Sequence, residues 1–209
     1  MALVVVGGHT RNIGKTSVVA GLITRLPELR WSAFKITQYG HGFCTADGKP
    51  CKCQTEDACV SINLERDPAS GTDTSRFLAA GAERSIWVRT RIGGLADALP
   101  RLSRELARSE NAILESNSIL EFLDPHLYLT VLDPSVADFK ESARRFLDRA
   151  DAVLLASDIA DARAWQSLDL PSLSDKPHFR IAPPSYMSDD LVEFVRARLT
   201  RPTVLPAAV

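Results

Sequence analysis

The residues best suited to chemistry open the chain. Gly7-Gly8-His9-Thr10-Arg11-Asn12-Ile13-Gly14-Lys15-Thr16-Ser17 follows the apolar run Ala2-Leu3-Val4-Val5-Val6 and precedes Val18-Val19-Ala20-Gly21-Leu22-Ile23. The first run reads as a buried strand and the second as the apolar part of a helix. A glycine-bearing turn between them, with Gly-Lys-Thr at the helix start, is the context of a phosphate-binding loop. Backbone N–H groups of such a loop and of the helix N-terminus surround phosphate oxygens. Gly8 to Ser17 are therefore the expected contacts of a nucleoside triphosphate, with Lys15 at the β- and γ-phosphates and the Thr16 hydroxyl on Mg²⁺. The bland alternative is a strand–helix turn that merely contains Gly-Lys-Thr. A position directly beside the first strand argues against it.

A second cluster has different chemistry. Cys44, Cys51, Cys53 and Cys59 are the only cysteines, and they fall within one short stretch. In a reducing compartment such clustering favours a metal site over disulfides. Four thiolates complete a tetrahedral zinc site and equally a [4Fe–4S] cluster, so both remain open. The Cys-x2-Cys knuckle common in structural zinc sites is missing. His41, three residues before Cys44, could replace one ligand. The competing reading is four reduced thiols in a flexible loop.

These residues must be positioned by a larger frame. Trp31-Ser32-Ala33-Phe34 starts a second strand ending near Lys35-Ile36, and a lysine at the carboxyl end of a strand in an open α/β sheet lies where ligands bind. Residues 39 to 72 read as a long polar excursion rich in Gly, Asp, Pro and Cys; a loop of that length is functional or internally cross-linked. Thr72 to Ala82 begins a helical turn or two, and Ser85-Ile86-Trp87-Val88 is a strand. Leu95 to Arg108 alternates leucine and arginine at helical spacing. Asn111-Ala112-Ile113-Leu114-Glu115 is a strand with Glu115 at its carboxyl end. Leu127 to Leu132 and Ala152 to Ala156 are strands flanking an expected helix over 138–149. Pro177 to Ile181 is a last strand. Ser188 caps a final helix whose buried face includes Leu191, Phe194, Val195 and Leu199. Residues 200–209 read as an arm or loose tail.

Strands alternating with helices predict an α/β fold, a mainly parallel twisted sheet covered on both faces by helices, as in doubly wound nucleotide-binding proteins. No repeat or linker interrupts the series, so one domain carrying the cysteine insertion is expected over residues 1–209.

Several short motifs resemble known families. The five residues between Gly8 and Gly14, one more than in the usual pattern, resemble dethiobiotin synthetase and its relatives. Thr72-Asp73-Thr74-Ser75-Arg76 with Ala80-Gly81-Ala82 is similar to a segment of the molybdopterin-guanine dinucleotide biosynthesis protein B family, and both families fall in a P-loop group that also includes the nitrogenase iron protein. The resemblance covers about residues 1 to 120. It implies a P-loop nucleotide-binding protein in which Lys35 is catalytic at the γ-phosphate, Arg76 meets a phosphate or acidic ligand, and Glu115 helps position Mg²⁺ directly or through water. Ile36 stands where the synthetases have proline, and Ser116 where both families have glycine. The cysteines stand where protein B has a histidine-rich segment. The guanine signature is missing at Ala156-Ser157-Asp158, so ATP and GTP both remain open.

Three functions follow from these residues and the resemblance. One is an ATPase or GTPase whose metal-bearing loop couples hydrolysis to cofactor biosynthesis or metallocluster handling. Another is a small-molecule kinase or ATP-dependent ligase of dethiobiotin synthetase type. The third is a low-turnover adapter that changes its engagement with a protein partner or a second copy. A net charge of −1 on 209 residues implies no general attraction to nucleic acid or anionic membrane. No apolar run approaches a membrane span, and the chain enters its first strand without the pattern of a signal peptide. A cytoplasmic protein is the expectation.

Overall fold

A computed structural model describes residues 1–40, 60–157, 165 and 173–200. Eight strands form one sheet: β1 (Leu3–Gly8), β2 (Trp31–Tyr39), β3 (Val60–Leu64), β4 (Arg84–Arg91), β5 (Asn111–Glu115), β6 (Leu127–Leu132), β7 (Ala152–Leu155) and β8 (His178–Arg180). Their spatial order is β3-β4-β2-β5-β1-β6-β7-β8. Every neighbouring pair is parallel except β3 with β4, which is antiparallel at the edge. Among the described residues the α-helices are α1 (Lys15–Arg25), α2 (Asp73–Ala79), α3 (Leu95–Leu106), α4 (Glu141–Arg145) and α5 (Asp189–Thr200).

The continuous apolar character of β1 follows from its central place. Val4 and Val6 face one core with Val18, Val19, Leu22 and Ile23 of α1 and Leu191 and Val195 of α5. Leu3 and Val5 face the other core with Leu95, Ala98, Leu102 and Leu106 of α3. A strand between two helical layers has no solvent face, so the alternation seen in half-buried strands disappears.

Three elements differ from the sequence-based expectation. The second strand runs on to Tyr39, because β4 pairs with it from Ser32 through Tyr39; Lys35 therefore leaves mid-strand, level with Glu115 at the end of β5. The excursion over 39–72 contains β3, in which Val60 and Ile62 alternate with polar residues and pack partly buried against the α3-side core. The helix expected over 138–149 shrinks to Glu141–Arg145 plus a 3₁₀ turn at Leu147–Arg149. The phosphate loop captures Asp138 and Lys140 before a helix can start, with Lys140 N–H on the His9 carbonyl at 2.8 Å and the Asp138 carbonyl on the His9 ring at 2.7 Å. Ser188 does cap α5, accepting the Leu191 N–H at 3.3 Å. Among the described residues no helix is long and apolar enough to cross a membrane. The tail after Thr200 lies outside them.

Candidate functional site

The loop joining β1 to α1 is held from below. The Asn117 side chain accepts the Gly8 N–H at 2.8 Å and donates to the Gly8 carbonyl at 2.9 Å. A Cβ on Gly7 would overlap the Asn117 amide oxygen, so this clamp requires glycine there. The loop turns through left-handed backbone at Asn12 (φ 58°) and Gly14 (φ 94°). At Gly14 a side chain would meet the Tyr186 ring as well as an unfavourable backbone conformation. No side chain caps α1, which leaves its first N–H groups to an outside acceptor.

The loop sits at the carboxyl end of a central parallel strand, with β5 on one side and β6 on the other. Such a strand, glycine loop and helix opening on Gly14-Lys15-Thr16 decide the architecture. The fold is that of a P-loop NTPase. The P-loop floors a cleft of about 580 Å³ whose lining includes five cationic side chains, Arg11, Lys15, Lys35, Arg76 and Lys140, against two acids, Asp73 and Glu115. A cleft so biased toward positive charge suits a polyanion.

Lys15 folds back to donate to the Thr10 carbonyl. Burial pushes its ammonium down to about 8; Glu115 opposes that shift, while Lys140 and Lys35 add to it. A phosphate beside Lys15 would relieve both penalties.

The β2 side of the P-loop carries a compact cluster. The Thr16 hydroxyl donates to Glu115 Oε2 at 2.8 Å. Lys35 Nζ pairs with the other Glu115 oxygen, with Asp73 Oδ2 at 2.9 Å, and approaches Thr16 Oγ1 at 3.5 Å. Burial raises the Asp73 carboxyl, but the Lys35 ammonium and the Thr16 hydroxyl more than offset this and leave it below the usual carboxylate range. Arg76, one turn along α2, donates to Ser17 Oγ at 2.9 Å. Thr72 caps α2 through the Ser75 N–H at 3.0 Å, which fixes Asp73 and Arg76 at the cleft wall.

The β6 side is built on hydrogen bonds and ring packing around His9. His9 is fully buried; its Nδ1 donates to the Asp138 carbonyl at 2.7 Å and its Nε2 accepts the Asp133 N–H at 3.0 Å. That pairing fixes a neutral tautomer, and burial lowers the ring below its ordinary value of 6.5. Phe139 and Trp165 pack on the ring with centroids 5.1 and 5.0 Å away. Thr10 donates to the Asp138 carboxylate.

Of the expected nucleotide contacts, Arg11, Asn12, Gly14, Lys15, Thr16, Ser17, Lys35, Arg76 and Glu115 line the cleft. His9, Thr10 and Ile13 are buried beneath the loop, and Gly8 is packed against the Val131 carbonyl. Asp73, Asn117, Lys140 and Tyr186 also line it and were not singled out from sequence. Asp73 and Asn117 had a local signal, being two or three residues from Arg76 and Glu115. Lys140 and Tyr186 arrive from distant segments and had none. Cys44, Cys51, Cys53, Cys59 and His41 lie outside the described residues. Among those described, no group of three or more His, Cys, Asp or Glu is arranged to hold a metal.

Neither a protein-family model nor a curated protein matches the sequence. Solved structures resemble it loosely. LpxK from Aquifex aeolicus, in complex with ATP, is 19% identical over 86% of this chain and 53% of its own, with a TM-score of 0.47. HypB from Helicobacter pylori, in complex with nickel, is 14% identical over 94% and 86%, with a TM-score of 0.46. MobB from Bacillus subtilis is 15% identical over 95% and 98%, with a TM-score of 0.38. The chain spans about half the length of LpxK. Likeness this loose shows neither a shared substrate nor a shared partner.

Proposed function

We propose that the cleft binds a Mg²⁺–nucleoside triphosphate and transfers its γ-phosphoryl group, making the protein a nucleoside triphosphatase of the phosphoryl-transfer class. The observation that carries this reading is the meeting of Thr16, Glu115, Asp73 and Lys35 at the start of α1, beside Lys15. The oxygen donors are hard and few, which fits Mg²⁺, an ion that keeps waters and phosphate oxygens rather than filling an all-protein cage. Thr16 and Glu115, with Asp73 beside them, would hold it. When bound it neutralises charge on the β- and γ-oxygens.

The chain's own residues do the rest. The P-loop N–H groups and Lys15 bind the β- and γ-phosphates. Lys35, which pairs with Glu115 and Asp73 beside Thr16, would bring its ammonium to the γ-phosphoryl oxygens. Charge spreads over those oxygens in the transition state, so a fixed cation there lowers the barrier. Arg76 adds a second cation from α2. The γ-phosphorus forms a bond to an incoming oxygen and breaks its bond to the β-bridging oxygen, leaving the nucleoside diphosphate.

Product analysis tests this reading. Mg²⁺-dependent phosphate release from ATP or GTP supports the triphosphatase, and release only with a small acceptor supports a kinase or ligase of dethiobiotin synthetase type. Tight binding without release, with capture of a protein partner or a second copy, would leave a nucleotide-responsive adapter. The finer reading, a metal centre on Cys44, Cys51, Cys53 and Cys59 that links turnover to cofactor biosynthesis or metallocluster handling, rests on cysteine spacing alone. Anaerobic protein that is brown and carries iron with sulfide would mean a cluster; colourless protein with zinc would mean a structural site.

A further inference from the structure

The triphosphate reading assigns Lys15, Lys35 and Arg76 to phosphates and leaves Lys140 and Arg11 without a role in transfer. Lys140 lines the same cleft on its β6 side, with Ser142 and Arg11. The chain places it with unusual care. Its backbone N–H bonds the His9 carbonyl, and the two preceding residues are pinned by the His9 ring, the Thr10 hydroxyl and the packing of Phe139 against His9 and Trp165. Asp133 is fixed in turn by the His9 ring and by Ser135 and Ser157. A segment tied to the P-loop at so many points moves with it, and its one contribution to the cleft wall beside Ser142 is the Lys140 side chain.

Lys140 is partly buried and converges with like charges. Burial lowers its ammonium first, Arg11 lowers it further, and Lys35 adds to the effect; Asp138 and Glu115 oppose them. One Asp138 oxygen accepts the Thr10 hydroxyl, and Glu115 pairs with Thr16 and Lys35. Among the described residues no ion pair holds Lys140. An ammonium carried on a pinned backbone and lining the cleft beside Arg11 and Lys35 is an arrangement that an incoming anion stabilises.

We propose that Lys140, with Ser142, forms a second anion subsite beside the P-loop, which takes a carboxylate or phosphate group of the molecule that receives the γ-phosphoryl group. The inference rests on the nucleotide reading and narrows it: the acceptor is an anionic small molecule, and Lys140 positions it rather than the triphosphate. Phosphate and carboxylate share the chemistry that recognises them here, namely negative oxygens meeting an ammonium and a hydroxyl.

The test uses the full chain loaded with Mg²⁺ and a β,γ-imido nucleoside triphosphate, which fills the phosphate positions without turning over. Orthophosphate and, separately, succinate are then titrated in by calorimetry. The expected result is saturable binding of one of the two, weakened at least tenfold in Lys140→Met and restored by Lys140→Arg, with affinity for the imido nucleotide within twofold in all three proteins. Binding of orthophosphate alone identifies a phosphorylated acceptor, and of succinate alone a carboxylate acceptor. If neither anion saturates the loaded protein, the inference is overturned. A tenfold loss of nucleotide affinity in Lys140→Met overturns it as well, because Lys140 would then belong to the triphosphate. Failure of the wild-type protein to bind the imido nucleotide defeats the nucleotide reading instead, and with it the ground on which the subsite stands.

Discussion

The two flanks of the P-loop hold their charges in opposite ways. On the β2 flank, Lys35 is matched by Glu115 and Asp73, and Thr16 completes the cluster. On the β6 flank, neutral hydrogen bonds and aromatic packing around His9 fix the backbone, and Lys140 has no ion pair among the described residues. The difference separates two jobs. A compensated cluster can exchange partners, with its acids turning to a cation and its lysine to a phosphate. A rigid neutral scaffold can only hold a charge in place. The first suits the reacting phosphates, and the second suits a fixed recognition point.

The predictions probe this contrast. Lys15 stands between the flanks, and its loss should have the largest effect. Lys15→Ala should weaken Mg²⁺–nucleotide binding by ~100-fold or more, about 2.7 kcal/mol, with an unchanged far-UV spectrum and unfolding midpoint. Calorimetry and thermal melts check both parts.

On the β2 flank, Glu115→Gln keeps the shape and removes the charge that faces Lys35 and Thr16. Turnover should fall roughly 10- to 100-fold, with a rise in the Mg²⁺ concentration needed for half-maximal rate. Nucleotide affinity should change far less. An unchanged Mg²⁺ requirement would make Glu115 a purely structural acid.

On the β6 flank the cost should appear in stability rather than in chemistry. His9→Leu leaves the Asp133 N–H and the Asp138 carbonyl without their partner, which should cost about 1–3 kcal/mol in denaturant unfolding. The pH dependence has a definite sign. His9 is held neutral in the fold, so the unfolded chain binds the extra proton. Its contribution to stability is complete above about 6.5 and is lost as pH falls below that value. The His9→Leu protein should lack this component of acid sensitivity.

The smallest effect concerns Lys15 in the intact protein. Its ammonium sits near 8 before a ligand arrives, and bound phosphates favour the charged form. Nucleotide affinity should therefore fall as pH rises through about 8, by roughly tenfold between pH 7 and 9. Calorimetric titrations across that range measure it, and a flat profile would mean that Lys15 keeps its charge regardless of ligand.

The β2 flank was largely legible in the sequence and the β6 flank was not, for a physical reason. Gly14-Lys15-Thr16 and Glu115 lie at a helix start and a strand end, where hydrophobic pattern and motif spacing place them directly; Lys35 lies mid-strand, but the register of β2 with β5 brings it level with Glu115. Asp73 was adjacent to a residue already singled out. His9 carries no mark in the sequence that distinguishes a loop contact from a buried brace; only the return of residues 133–140 across the loop reveals it. That same return broke the expected helix over 138–149, because tertiary hydrogen bonds from His9 and Thr10 outcompeted the local helical pattern. The strand at Val60–Leu64 had its alternation of apolar and polar residues in view but was absorbed into a polar excursion. Its antiparallel pairing with β4 depends on partners more than twenty residues away.

The central claim is that the cleft between these flanks binds a Mg²⁺–nucleoside triphosphate. Calorimetric titration of the wild-type chain with ATP and with GTP, each with and without Mg²⁺, tests it most directly. One-to-one binding of at least one nucleotide, tightened by Mg²⁺ and abolished in Lys15→Ala, is the predicted result. Absence of binding to both, or binding that Lys15→Ala leaves unchanged, would contradict it.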